Sequence, residues 1–310
     1  MPFKSGFVAI VGRPNAGKST LVNTLVGHKV SIVSPKPQTT RNRIQGILNR
    51  EDAQIVLVDT PGIHKPESAL NRMMMGELEN TLDGLDILSL IVDATAPFGA
   101  GDRFALDWIS RFSGPVFLLL NKVDRIAKPL LLPLIDRYSK QFDFAEIYPI
   151  SALSGEGCFD LVSGWIARLP EGEPYFSPDQ FTDQPERFLA SEIIREKAIL
   201  ATREEIPHAI CVLIDNFEEG QGILRIRATF FVERENQKGI LIGRGGSVLK
   251  KIGTQARLEL ESILGTKVFL ETFVKVQSNW RQNPAVIRQL DWHRQLEQLS
   301  DLQQDTSEIF

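Results

Sequence analysis

Gly12-Arg13-Pro14-Asn15-Ala16-Gly17-Lys18-Ser19 follows directly on the apolar run Phe7 to Val11 and fits G-x-x-x-x-G-K-[ST]. Such a loop wraps a polyphosphate. Its glycines let the backbone bend tightly and its N–H groups line the bend. Lys18 adds a point charge for the β and γ phosphates, the Ser19 hydroxyl faces Mg2+, and Gly12 to Thr20 together are the expected nucleotide-binding residues of this loop. The ligand is therefore a nucleotide, and one segment alone does not say which.

Two segments downstream do. Asp59-Thr60-Pro61-Gly62 closes a second apolar run (53–58), and Asn121-Lys122-Val123-Asp124 closes a third (116–120). At a strand's carboxyl end, Asp59 suits the outer sphere of the metal, and the Gly62 N–H can meet the γ-phosphate. Asp124 is the base reader, because a carboxylate accepts from both N1–H and the exocyclic amine of guanine. Adenine has no such donor pair and would leave the acceptor unpaired. Ser151-Ala152-Leu153, after the strand-like run 147–150, completes the base pocket. Taken singly, a P-loop pattern or an N-K-x-D also fits an ordinary polar turn; in this order and spacing that reading loses its force. An adenylate-type kinase or ATPase would keep the first loop but has no use for Asn121 and Asp124.

Composition fits two soluble domains: 310 residues, 43% hydrophobic and 24% charged, exceed one typical core without any disordered bias. Cys158 and Cys211 fall one in each half and read as core thiols, offering neither a disulfide framework nor a zinc site. Met1 to Gly6 is too short for a signal peptide, and the apolar runs at 87–92 and 130–135 are far below spanning length. We expect a cytoplasmic monomer with no transmembrane segment; peripheral association with a membrane stays open.

Apolar runs near 7–11, 53–58, 86–92, 115–120 and 145–150 alternate with helical stretches near 17–26, 70–82, 101–111, 130–141 and 157–168. That alternation is α/β: a P-loop, Ras-like mixed sheet with helices on both faces over 1–168, the segment 43–48 pairing antiparallel with 54–59 at the edge. Pro170, Gly172, Pro174, Pro178 and Pro185 punctuate an acidic, aperiodic interval that reads as an interdomain linker over 169–186. Beyond it the expected order is helix (187–203), strand (208–216), strand (222–232), short helix, Gly-rich loop, helix (247–264), strand (267–276), followed by a helical tail over 277–310.

The net charge of −4 argues against a nucleic-acid partner, but its distribution reverses that. Between Arg234 and Arg257 stand six basic residues (also Lys238, Arg244, Lys250 and Lys251) and one acid, Glu235. A basic patch on an acidic protein points to a localised anionic partner. Within it Gly243-Arg244-Gly245-Gly246 fits the G-x-x-G loop that clamps single-stranded backbone, where glycine lets phosphates approach two helix ends. The alternative is a plain helix-to-helix turn.

At these residues the chain resembles the small GTPases of translation, and within them the Era family. The P-loop, Pro37-Gln38-Thr39-Thr40-Arg41, Asp59 to His64, Asn121 to Asp124 and Ser151 to Leu153 carry the resemblance in the first half; Ala190 to Lys197 and Gln237 to Gly246 carry it in the second. It implies an α+β type II KH domain after the GTPase domain, and GTP hydrolysis to GDP with Mg2+ held by Ser19, Thr40 and Asp59. Thr39 replaces Thr40 if the loop register shifts by one. It further implies recognition of the single-stranded 3′ end of 16S ribosomal RNA, through Lys238, Gly243 to Gly246, Lys250 and Lys251, in assembly of the 30S subunit. The competing class is a GTPase whose distal domain docks a protein. A tRNA-modifying relative finds no extra catalytic domain or terminal cysteine here.

One departure shapes the expected mechanism. Ras-like enzymes orient the attacking water with a glutamine just after D-x-x-G, and here Ile63 occupies that place. Catalysis then rests on Lys18, Thr40, Gly62 and Asn15. Asparagine at position 15 resembles GTPases that recruit K+ beside the phosphates; bracing the loop is the alternative. His64 reads as a solvent-facing switch residue rather than a base, Met73 to Met75 as packing, and Val286, Ile287, Leu290, Leu296 and Leu299 as one face of a tail helix packed on the KH domain.

Overall fold

Near-continuous apolar runs are what strands become when helices cover both faces of their sheet. In the computed structural model, which describes residues 2–63, 68–79, 81–82, 84–203 and 206–289, each such run is a strand of one six-stranded sheet. β1 (Lys4–Val11), β3 (Ala53–Asp59), β4 (Ile87–Asp93), β5 (Val116–Asn121) and β6 (Glu146–Ile150) are parallel, and β2 (Ile44–Asn49) runs antiparallel along β3. Their order is β2-β3-β1-β4-β5-β6, which brings the carboxyl ends of β1, β3 and β5 to one rim.

Helices α1 (Lys18–Val26), α2 (Ala69–Glu79), α3 (Ala100–Ile109), α4 (Leu131–Ser139) and α5 (Cys158–Arg168) follow the strands in turn. Alternate strand residues feed two cores, one built around Leu21, Phe117 and Trp165, the other around Trp108, Leu118 and Met75. The Trp165 indole N–H is satisfied by Ser89 Oγ at 3.1 Å, so its burial leaves no orphan donor. Met74 and Met75 are buried, as packing requires.

The described chain divides into two compact units, the first from residues up to 63 with 73–184, the second from 68–72 with 185–289. The interval read as a linker is thus mostly part of the first unit. The Ser5 N–H donates to Pro170 O at 3.2 Å, Gln54 pairs with both the N–H and the carbonyl of Phe176, and Gly46 bridges antiparallel to Thr182. Proline-rich sequence made this stretch look like free chain. Proline also suits an extended strap along a sheet edge, where some N–H groups have no ladder to join.

The second unit contains α6 (Glu186–Ala201), α7 (Ile206–Ala209), β7 (Cys211–Glu219), β8 (Ile223–Val232), α8 (Glu235–Ile242), α9 (Ser247–Leu264) and β9 (Lys267–Val276). Its sheet runs β7-β8-β9, with β7 and β8 antiparallel and β8 and β9 parallel. Helix α7 was not expected, because four residues carry no readable period. The unit does not stop at 276. Trp280 is fully buried with its indole N–H on Ala209 O at 2.8 Å, Arg281 pairs with Glu233, and a short α10 (Pro284–Arg288) buries Ile287. Leu290, Leu296, Leu299 and His64 lie outside the described residues. No described helix is long and apolar enough to cross a membrane.

Candidate functional site

The turn from β1 into α1 shows why its glycines are needed. Gly17 caps α1 at φ 107, and a Cβ there would lie 2.2 Å from Asn121 Nδ2. With no side-chain cap, the first N–H groups of α1 open into a cavity of about 440 Å3, lined among others by Asn15, Lys18, Ser19, Thr20, Thr40 and Gly62. Free N–H groups and the positive end of the helix together favour an anion.

Lys18 is buried, and its ammonium donates to Gly12 O and Arg13 O at 3.1 Å each. Burial lowers its pKa to about 8, against the attraction of Asp59. Asp59 is fully buried, which pushes its carboxyl up. Three hydroxyls oppose that by converging on Oδ2: Ser19 at 2.7 Å, Ser31 at 2.6 Å and Thr40 at 3.4 Å. Ser19 Oγ and Thr40 Oγ1 are 3.0 Å apart, while Asp59 Oδ1 is buried without a hydrogen-bond partner among the described residues. Neutral and anionic oxygens gathered at one point, one carboxylate oxygen still unsatisfied, are the donor set that a hard cation such as Mg2+ takes. Of the two candidate threonines, Thr40 joins this cluster; Thr39 turns into its own loop, donating to Lys36 O at 2.7 Å.

The other predicted residues gather around the same rim. Thr60 Oγ1 donates to Ile10 O at 2.9 Å, the Ile63 N–H donates to Gly12 O at 3.0 Å, and Pro14 packs on Gly62, where a Cβ would lie 3.0 Å from Pro14 N. Pro61 links the two. Asn121 ties three loops together, its amide donating to Ala16 O at 2.7 Å and its Oδ1 accepting from the Ala152 N–H at 2.8 Å. Lys122 Nζ donates to Asn15 O at 2.9 Å and pairs with Asp93 at 2.5 Å. Ser151 is buried, whereas Asp124 and Leu153 present exposed side chains beside them. Arg13 differs from the rest, because its guanidinium turns to the buried carboxylate of Asp102, which it meets at 3.0 Å.

Sequence reading missed Ser31, Asn23, Asp93 and Asp102. Only Asp93 carried a usable signal, as an acid ending a strand in register with Asn121. The others are ordinary polar residues: Ser31 and Asp102 have partners 28 and 89 positions away, and Asn23 meets Val30 and Ser31 without any recognisable motif.

In the second unit, Gly243 follows α8 at φ 74, and a Cβ there would lie 2.9 Å from Val248 N. Gly246 caps α9 at φ 78, again without a side-chain cap. Arg244, Gly245, Lys250 and Lys251 are exposed and Lys238 is half-buried, so the tight turn presents its basic residues to solvent at two helix ends.

Known proteins share both halves. A sequence-family profile described as a 50S ribosome-binding GTPase matches residues 7–122, and one described as a KH domain matches 205–281. Era of Aquifex aeolicus, a tyrosine-to-alanine variant bound to GDP.AlF4-, is 44% identical and superposes with a TM-score of 0.90 over 93% of this chain and 99% of its own. Era in complex with MgGDPNP and nucleotides 1506–1542 of 16S ribosomal RNA is also 44% identical, with a TM-score of 0.89 over 93% and 98% of the two chains. Because this likeness runs through both units in the same order and spans nearly the full length of each relative, the chain belongs to the Era family.

Proposed function

We propose that this protein is a GTP-hydrolysing switch whose KH domain binds the single-stranded 3′ end of small-subunit ribosomal RNA, acting as a cytoplasmic monomer in 30S assembly. The observation that carries the reading is the convergence of Ser19, Thr40 and Asp59 at the mouth of α1, with Asn121 joining that loop to the base-reading segment. Related chains hold MgGDPNP with an rRNA segment, and GDP.AlF4-.

Each residue has a chemical part. Lys18 exchanges its two carbonyl partners for phosphate oxygens, whose negative charge favours the ammonium form that burial disfavours. Ser19, Thr40 and Asp59 are the residues that would hold Mg2+, the two hydroxyls as ligands and the carboxylate as their partner. When bound, the ion neutralises charge on the β- and γ-phosphates. The Gly62 N–H, in the lining of the cavity, meets the γ-phosphate, and Asp124 accepts from guanine. Ile63 is 3% exposed and has no polar atom in its side chain, so turnover without a partner is slow. Arg244, Lys250 and Lys251 meet the RNA backbone, with Lys238 beside them.

Crosslinking the purified chain to total cellular RNA, with GDP or a non-hydrolysable GTP analogue, tests the whole reading. Enrichment of the small-subunit rRNA 3′ end supports it. Crosslinks spread evenly over RNA, with a protein retained instead, would move the distal domain to protein docking.

A further inference from the structure

Ser31 is 1% exposed, near the beginning of the loop that leads to Thr40, and its hydroxyl donates to Asp59 Oδ2 at 2.6 Å. No phosphate-loop or guanine motif includes it. Its backbone is held on both sides by one side chain, Asn23 of α1. Asn23 Oδ1 accepts from the N–H groups of Val30 and Ser31 at 3.0 and 2.9 Å, and its Nδ2 donates to Ser31 O at 2.7 Å. Gln184, at the end of the strap, adds a bond from Nε2 to Val30 O at 2.9 Å. Four hydrogen bonds on one dipeptide are far more than a hydroxyl needs merely to be buried. They fix where the Ser31 Oγ sits, and with it the plane of the carboxylate it donates to.

We propose that Ser31, clamped by Asn23, is a positioning residue for Mg2+: by donating to Asp59 Oδ2, the oxygen that Ser19 and Thr40 also meet, it holds the carboxylate beside the two hydroxyls that would take the cation. The inference rests on the Mg2+-GTP reading above. Asp59 Oδ2 accepts from Ser19 of the phosphate loop and from Ser31 of the loop that leads to Thr40, so two separate segments fix that one oxygen. Outer partners of metal ligands change metal affinity by about 10–100-fold when removed.

The test is the release rate of a fluorescent GDP analogue from the full chain as Mg2+ is titrated, with an excess of EDTA as the metal-free limit. In the wild type, release slows as Mg2+ is added. Ser31→Ala should shift the Mg2+ midpoint upward by about tenfold while leaving the EDTA rate unchanged. Ser31→Thr, which keeps the hydroxyl, should restore the midpoint, and Gln184→Ala, which loosens the dipeptide without touching the hydroxyl, should shift it less. An unshifted midpoint in Ser31→Ala overturns the proposal, as does a release rate raised equally with and without Mg2+. If Ser31→Ala does not fold, Asn23→Asp, which keeps the acceptor but loses the donor to Ser31 O, must raise the midpoint for the proposal to stand. A wild type indifferent to Mg2+ would instead overturn the Mg2+-GTP reading itself.

Discussion

Two of the glycine turns that open helices in this chain, those before α1 and α9, solve the same problem differently. The loop before α1 sinks its charge: Lys18 is 6% exposed, already bonded to two carbonyls and balanced by a buried carboxylate. The loop before α9 sets its charge out: Arg244, Lys250 and Lys251 are exposed, and only the backbone is constrained. A buried donor set is selective for one anion shape and insensitive to salt. An exposed one accepts any backbone phosphate and is weakened by screening. One chain thus has a buried small-ligand site and an exposed polymer site, whose loop meets the backbone while selection among sequences falls to base contacts.

The sharpest way to separate them is to break one at a time. Lys18→Ala should reduce GTP turnover by about 10^2–10^3-fold, since the charge it supplies acts where water is excluded, and should leave RNA affinity in the absence of nucleotide unchanged. A near-normal turnover rate would mean that the first loop does not hold phosphate. Conversely, Arg244→Asp combined with Gly245→Asp puts two negative charges where about four nucleotides of backbone pass. Gly245 has open space around its Cβ position, and aspartate tolerates its φ of 59 better than most residues. RNA binding should collapse while GTP hydrolysis persists; intact RNA binding by a folded double variant would end the KH assignment.

Smaller effects sharpen the contrast. Asp124→Asn should weaken GTP by about 10–100-fold, the worth of a charge-assisted pair, and improve xanthosine triphosphate, which offers a carbonyl to the new amide. Competition between the two nucleotides measures both changes. On the RNA side, three or four neutralised phosphates give a slope of about −2 to −3 in log affinity against log salt, and Lys251→Ala should flatten it by about 0.7. The weakest effect concerns Asn15, whose amide donates to Pro35 O at 2.9 Å and so already braces the loop. Turnover in K+ should exceed that in Na+ at equal ionic strength, with Asn15→Ala erasing the difference; equal rates would leave Asn15 as a brace alone.

What was readable beforehand divides along a physical line. Gly12 to Ser19, Asp59 to Gly62 and Asn121 to Asp124 are contiguous, because backbone N–H groups must surround one phosphate and strand ends must deliver a side chain at a fixed point. Apart from α7, the strands and longer helices were legible from their periods, to within a few residues at each end. Ser31, Asn23 and Gln184 were not, since a serine, an asparagine and a glutamine 8 to 161 positions apart have no local pattern that announces a shared partner. The strap over 169–184 was misjudged for a related reason: its hydrogen bonds run to β1, β2 and β3, and nothing in its own composition records those partners. Trp280 shows the same limit from the other side, because its partner, Ala209 O, lies in a helix too short to be seen in the sequence.

The most direct measurement is the affinity of the full chain, with a non-hydrolysable GTP analogue bound, for a single-stranded RNA of the small-subunit rRNA 3′ end against a permuted RNA of equal length and composition. Expected is clear preference for the native tail, lost in the Arg244→Asp, Gly245→Asp variant and retained in Ser31→Ala at saturating Mg2+. Equal binding of the two RNAs by the wild type, unaffected by the double substitution, would contradict the assignment of a sequence-reading RNA module to this GTPase.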